Sequence, residues 1–201
     1  MHSLKLKWTI WNELRRFVVI PFIRLYFLVR GVSWANGWRI LGKPIIQKFK
    51  GSRIELGNGL IMRSWPSSNP VSPYHPVFLS TRTEDAEIII GDDFGITGGS
   101  IIAADRVEIG SRVLVGGNCL IIDTDFHSLN YLERVQKPGK ITSKPVAIGD
   151  DVFIGTQTII LKGTTIGAGS IIGAGSVVSG QIPANVVAAG NPAVVIRPLD
   201  Q

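Results

Sequence analysis

Six aliphatic residues, Ile148, Ile154, Ile160, Ile166, Ile172 and Val178, follow one another at a constant interval of six. Five of them are followed directly by Gly149, Gly155, Gly167, Gly173 or Ser179, while position 161 holds Leu. Four residues beyond each anchor stand Val152, Thr158, Thr164, Ser170, Ser176 and Ile182, mostly small or β-branched. A helix repeats near 3.6 and a plain strand at 2, so neither explains this spacing. A hexad fits short strands joined by sharp turns, each strand sending one aliphatic inward and glycine supplying turn dihedrals that other residues resist. The phase also appears at Ile90-Gly91, Ile96 and Ile102, slips by one residue, and resumes at Ile109-Gly110, Val115-Gly116 and Ile121, with a fainter trace at Ile54, Leu56-Gly57 and Leu60. The expectation is an all-β chain, a parallel β-helix whose coils stack by backbone hydrogen bonds about 4.8 Å apart.

Composition agrees with that reading. The 201 residues suffice for one main domain, and 23 glycines beside only 18% charged residues suit tightly turning β architecture. A single cysteine, Cys119, excludes an intramolecular disulfide framework and fits a reducing compartment. The net charge of +6 is uneven. Many basic residues fall in the first fifty positions, so the basic balance describes that segment rather than a nucleic-acid-binding surface, and no nucleic-acid partner is expected.

The chain divides into an apolar, basic helical segment at 1–39, a β-helix at 40–186 with loops at 63–83 and 123–147, and a closing segment at 187–201. In the first segment the apolar run from Phe17 to Val29 is short for a bilayer span and contains Pro21 and Arg24, which argues against a transmembrane helix. Glu13, Arg15 and Arg16 make a secretory signal a poor fit. Residues 4–30 are then either a helix packed on the main domain or a basic, aromatic-rich helix lying in a membrane interface. Either leaves the rest of the chain cytoplasmic, the second as a peripheral protein on the inner face of the membrane.

The stretch "IGDDVFIGTQTIILKGTTIGAGSIIGAGSVVSGQIPANVVAAGNPAVVIR", residues 148–197, resembles the hexapeptide-repeat acyltransferases, particularly sugar O-acetyltransferases of the maltose and galactoside type. The resemblance covers roughly residues 40–199: repeat, closing "AAGNPA" segment and histidine loop occur in the family's order. It implies a left-handed β-helix, a homotrimer, acetyl-CoA as donor, a saccharide acceptor, and a site between neighbouring subunits. Left-handedness runs against the general crossover rule and rests on the resemblance alone.

Transfer of an acetyl group to a sugar hydroxyl requires a base, and imidazole, which ordinarily titrates near pH 6.5, suits that task. The chain offers His2, His75 and His127. His127 stands where the hexads give way to the second loop, the place where the resemblance puts a catalytic histidine. Asp125, Asp123 and Glu133 are candidates for holding its tautomer or binding sugar hydroxyls, with Asp125 slightly ahead of Asp123 as the catalytic partner. Asn118 matches an asparagine that lines the family's acceptor site, although a left-handed turn would explain it equally. Cys119 reads as buried filler. By resemblance, Gly155, Thr156, Ala174 and Ser179 match pantetheine-contacting positions, and Arg197 matches a basic residue at the phosphorylated adenosine end. Where relatives often carry a second basic residue, this chain has Val194 and Val195, leaving Arg197, Lys162 or a neighbouring subunit to bind phosphate.

The amino terminus does not resemble the compact helical segment of the maltose-type enzymes. Its apolar character fits a subgroup that acetylates saccharides during assembly of cell-surface polysaccharide. The rival readings are an N-acetyltransferase acting on an amino sugar and a non-catalytic β-helix used for binding or assembly. Zinc-dependent carbonic anhydrases share the architecture, but the three histidines lack ligand spacing, and no metal is expected.

Overall fold

A computed structural model describes residues 7–136 and 139–199; His2 and residues 4–6 of the amino-terminal segment lie outside the described residues. From Arg39 onward the chain winds through three parallel sheets in strict rotation, so that every third strand pairs with its predecessor. The first face begins with Arg39–Leu41 and Ile61–Arg63, the second with Ile45–Gln47 and Phe78–Thr81, the third with Arg53–Leu56 and Glu87–Ile90. The result is a three-sided prism, a left-handed parallel β-helix.

The hexad anchors become columns. Ile40, Met62, Ile96, Val115, Ile154, Ile172 and Ala188 stack on the first face. Ile46, Leu79, Ile101, Ile121, Ile160 and Val178 stack on the second, and Leu56, Ile90, Ile109, Ile148, Ile166 and Ile182 on the third. All are buried. Parallel pairing in register places like over like, so each coil repeats the shape of the last and the aliphatic columns pack along the prism axis.

Ile102 is a correction to the sequence reading. Its neighbour Ile101 pairs between Leu79 and Ile121 and is fully buried, whereas Ile102 faces outward and is half-buried. The slip therefore falls between Ile96 and Ile101, where the Gly98–Gly99 pair makes a shorter turn, with Gly98 at φ 50°. Phe78–Thr81 likewise is a strand, so the first loop closes by Val77 rather than at residue 83.

Small residues at the edges have two causes. A Cβ on Gly155 would collide with the Ala174 amide nitrogen one coil on, so the stacked turns approach more closely than a side chain permits. Four small polar residues instead bury hydroxyls to satisfy edge carbonyls: Thr158 donates to Gly155 O at 2.8 Å, Thr164 to Leu161 O at 2.6 Å, Ser170 to Pro183 O at 2.7 Å and Ser176 to Gly173 O at 2.6 Å.

Helix α1, Lys7–Val29, closes the amino-terminal end of the prism. Ile23 and Phe27 enter the core, and Phe27 packs edge-on against Trp34 and Trp38 at 5.7 and 5.3 Å between ring centroids. It ends in a Schellman turn: Gly31 is left-handed at φ 65°, and the Val32 N–H donates to Phe27 O at 3.0 Å. At the other end Ala193–Pro198 turns back antiparallel on Val186–Gly190.

The column assignment predicts unequal costs for neighbouring truncations. Ile101→Ala should lower stability by about 2–5 kcal/mol through the lost burial and the cavity left behind. Ile102→Ala should cost about 1 kcal/mol or less. Urea midpoints compared at constant m-value test this; a larger loss at 102 would reverse the register.

Candidate active site

Each face ends in an edge, and two edges carry excursions. The first loop, residues 64–77, leaves the edge between the first and second faces; the second, residues 123–145, leaves the edge between the second and third. The rest of the prism is regular, so chemistry concentrates where these loops depart.

The stem of the second loop is a short antiparallel ladder. Asp125 N–H donates to Thr142 O at 3.2 Å, Lys144 N–H to Asp123 O at 2.9 Å, and Thr124 bridges Ser143. Asp123 lies fully buried at its base, where its carboxylate accepts the N–H groups of Ala104 and Asp105, both at 2.7 Å. Burial pushes its carboxyl above the usual carboxylate range, against those two donors. Asp123 therefore closes an edge of the prism, and its oxygens are not free to bind a sugar.

Asp125 also has a task other than the one the sequence suggested. Its carboxylate accepts from the Lys162 ammonium and from the Thr142 hydroxyl, the latter at 2.7 Å, and Lys162 donates to Thr142 Oγ1 at 2.9 Å. The bond from Lys162 holds the Asp125 carboxyl below its ordinary range, with the Thr142 bond adding to it. The triad staples the loop stem to the following coil. It also commits Lys162, which the sequence left open as a phosphate ligand.

His127 projects from the head of this loop into solvent, beside a hollow of about 230 Å³ lined by Phe126, Ser128, Glu133, Arg134, Gly139 and Ile141. Of the three candidate carboxylates, Glu133 alone shares that hollow. It sits on the short helix α2, Tyr131–Gln136, where its Oε2 accepts the Ser128 hydroxyl at 2.6 Å and the Lys140 N–H at 3.0 Å. The Ser128 bond is the main cause that holds its carboxyl below the usual range. Glu133 therefore braces the loop head from within the hollow that the imidazole borders, whereas Asp125 is held at the stem by Lys162 and Thr142.

His75, on the first loop, donates Nδ1–H to Pro76 O at 2.7 Å. That loop is strapped down by residues of the first edge. Asn118, left-handed at φ 61°, accepts the Tyr74 N–H at 2.7 Å, and Gln157 donates to the Tyr74 hydroxyl at 2.8 Å. The Asn118 amide nitrogen is buried and has no hydrogen-bond partner among the described residues, leaving both of its N–H donors unspent. Cys119 is buried beneath this edge, and burial pushes its thiol up to about 11. It is protonated at neutral pH and donates to Gly155 O at 3.1 Å, which is the behaviour of filler rather than of a nucleophile.

Between the first loop and the first face runs a groove of about 560 Å³ with an apolar floor of Leu114, Phe153 and Ile171. Gly155, Thr156 and Ala174 all line it. Gly116, Gly155 and Gly173 leave this edge bare of side chains. Arg197 lies on the strand that extends the same face beyond Val186–Gly190. Ser179 does not join them, for it follows Val177–Val178 on the second face and stands at the edge that carries the histidine loop. Arg63, Asn69 and Thr97 also line the groove. The sequence reading passed over these three because none belongs to a repeat anchor or the histidine loop.

Thus one chain separates its parts: the groove follows the first edge and His127 the second. The Asp125–Lys162 pair stabilises the folded loop only while Asp125 is ionised. Since the folded carboxyl titrates below its unfolded value near 4, that stabilisation is full above about pH 4 and lost as pH falls further. Asp125→Asn should remove it at all pH values, raising proteolytic cleavage within 126–141 while leaving the prism intact. Cleavage rates measured from pH 7 to pH 3 should converge for wild type and variant at the acid end.

Known proteins share both repeat and architecture. Residues 145–180 match the family model described as bacterial transferase hexapeptide (six repeats). The galactoside O-acetyltransferase of Escherichia coli K12 is 36% identical over 169 residues, 81% of this chain and 79% of that protein. A hexapeptide-repeat acetyltransferase of Vibrio cholerae, solved with acetyl-CoA, is 30% identical with a TM-score of 0.60, covering 76% of this chain and 73% of its own. A maltose O-acetyltransferase from Clostridium difficile 630 shares the fold at 24% identity and a TM-score of 0.51, over 98% of this chain and 90% of that one. The chain belongs to the hexapeptide-repeat sugar acetyltransferases.

Proposed function

We propose that this protein transfers an acetyl group from acetyl-CoA to a saccharide hydroxyl, with His127 as general base, in a site assembled between copies of the chain. The observation that carries the reading is the separation just described. A donor groove on one edge and an imidazole on another become a single site when a neighbouring prism sets its second edge against the first. A homotrimer, in which each prism sets its first edge against the second edge of a neighbour at three equivalent junctions, satisfies that geometry. Ser179 then faces the groove of a neighbour, which restores it to the donor site.

The thioester arm lies in the glycine-edged groove, with Gly155, Thr156 and Ala174 along it and Arg197 towards its phosphorylated end. The acceptor lies near His127, Asn118 and the first loop. His127 takes the hydroxyl proton as the oxygen attacks the acetyl carbonyl. The tetrahedral adduct collapses with cleavage of the carbon–sulfur bond, and the imidazolium returns its proton to the departing thiolate, so acetylated sugar and free CoA leave and the enzyme is regenerated. Glu133 holds the loop head that carries the ring. Cys119 forms no acyl intermediate. The acceptor class is a saccharide of cell-surface polysaccharide assembly, and the protein works from the cytoplasmic side, with its amino-terminal helix meeting the membrane.

Acceptor-dependent thiol release, read over a panel of mono- and oligosaccharides, should fall by about 10²- to 10⁴-fold in His127→Ala. Cys119→Ala should retain it. An undiminished rate in the histidine variant would move the base elsewhere. Light scattering should return about three times the 21.8 kDa chain mass; a stable monomer with full activity would remove the shared site.

A further inference from the structure

Helix α1 is apolar on both sides, and only one side is used. Its inward face places Ile23 and Phe27 in the core and Tyr26 against the second face, where the tyrosine hydroxyl accepts the Ile46 N–H at 2.8 Å. The opposite face carries large apolar side chains from Ile10 to Val29, among them Trp11, Phe17, Phe22, Leu25 and Leu28, each between 49% and 75% exposed. At 100° per residue these positions fall within an arc of about 140°, a continuous stripe along the whole helix. A protein surface rarely leaves a stripe of this length in water without a partner for it.

Charge identifies the partner. Arg15 and Arg24 fall on the two borders of the stripe, fixed over the Trp65 ring at 4.2 Å and the Trp34 ring at 4.9 Å. The one acid of the helix, Glu13, is neutralised by Arg16 and Arg39. Across residues 1–50 ten Lys and Arg stand against one acid, whereas residues 51–201 hold eleven bases against fourteen acids. The excess of positive charge is thus gathered at the amino-terminal end of the molecule, around the foot of the prism. A second copy of that foot would be repelled, and no helix among the described residues is long and apolar enough to cross a membrane. A surface that is apolar in the middle and anionic at its margins matches both features, namely the interface of a bilayer with acidic headgroups.

We infer that the outward face of α1 docks on an anionic lipid bilayer, the helix lying in the interface plane with Phe17, Phe22 and Leu25 below the headgroups and Arg15 and Arg24 among the phosphates. This deepens the membrane-side saccharide reading, and rests on it for its purpose: the prism stands on the surface from which a lipid-linked acceptor would be presented.

The test is co-sedimentation of the full-length protein with phosphatidylcholine vesicles and with phosphatidylcholine–phosphatidylglycerol vesicles. Wild type should pellet with the acidic vesicles, weakly with neutral ones, and less as salt is raised. The Phe17→Ser/Phe22→Ser double variant, altered at two exposed positions, should lose binding by about tenfold or more. A second variant, Arg15→Gln/Arg24→Gln, should lose the preference for acidic lipid. Wild type remaining in the supernatant with both vesicle types overturns the inference. So does a double variant that pellets unchanged, or one whose oligomer falls apart by light scattering, because the stripe would then be a subunit contact. Thiol release with a soluble saccharide should be the same in wild type and the stripe variant. Vesicle binding is read without catalysis, so loss of the acetyl-transfer reading and loss of the docking surface are told apart.

Discussion

Every coil of this prism satisfies its backbone through the coils above and below it. Among the described residues the body of the helix contains no hairpin, and the in-register parallel ladder leaves each strand dependent on partners a full turn away. Side chains at equivalent positions are therefore superposed, and a residue acceptable in one coil must be acceptable in the next. The aliphatic columns, the bare edges at Gly155 and Gly173, and the buried hydroxyls of Thr158, Thr164, Ser170 and Ser176 are three answers to that one demand. The ladder also has two open ends, which would invite further pairing if left bare. Helix α1 with Phe27 and Trp38 covers one, and the antiparallel return of Ala193–Pro198 covers the other.

So rigid a body has no room for catalytic groups inside it. Chemistry moves to the two excursions, and the prism uses polar residues to hold them. Asp123 and the Asp125–Thr142–Lys162 staple anchor the histidine loop at its stem, and Glu133 with Ser128 and Lys140 braces its head. Asn118 and Gln157 tie the first loop at Tyr74. Acidic residues near a histidine are thus mostly structural here. The geometry sorts them by what they already bond, which spacing along the chain does not reveal.

The threefold rotation of the faces also distributes function. Residues six apart in sequence lie on adjacent faces, and those eighteen apart stack on the same one, as Ile148 and Ile166 do. Hence Gly155 and Ala174 share a groove, while Ser179, five residues after Ala174, stands on another edge. Residues that are close in sequence are thus separated onto different edges by the winding.

The hexad itself determined the fold class and the place of both excursions, because a six-residue period admits few structures; each excursion carries a histidine, and the family resemblance selected His127 over His75 as the candidate base. It could not determine which side chain faces inward wherever the turn length changes. Ile101 and Ile102 are chemically identical, and only the pairing of Leu79 with Ile101 decides between them. Nor could it rank Asp123, Asp125 and Glu133, whose roles depend on Ala104, Lys162 and Ser128, brought near by winding rather than by sequence. The amino-terminal segment shows the same division. Its apolar and basic content was plain in the sequence, but an apolar helix can bury one face, both or neither. Tertiary packing decided that Ile23 and Phe27 go into the core and that the stripe from Ile10 to Val29 remains outside.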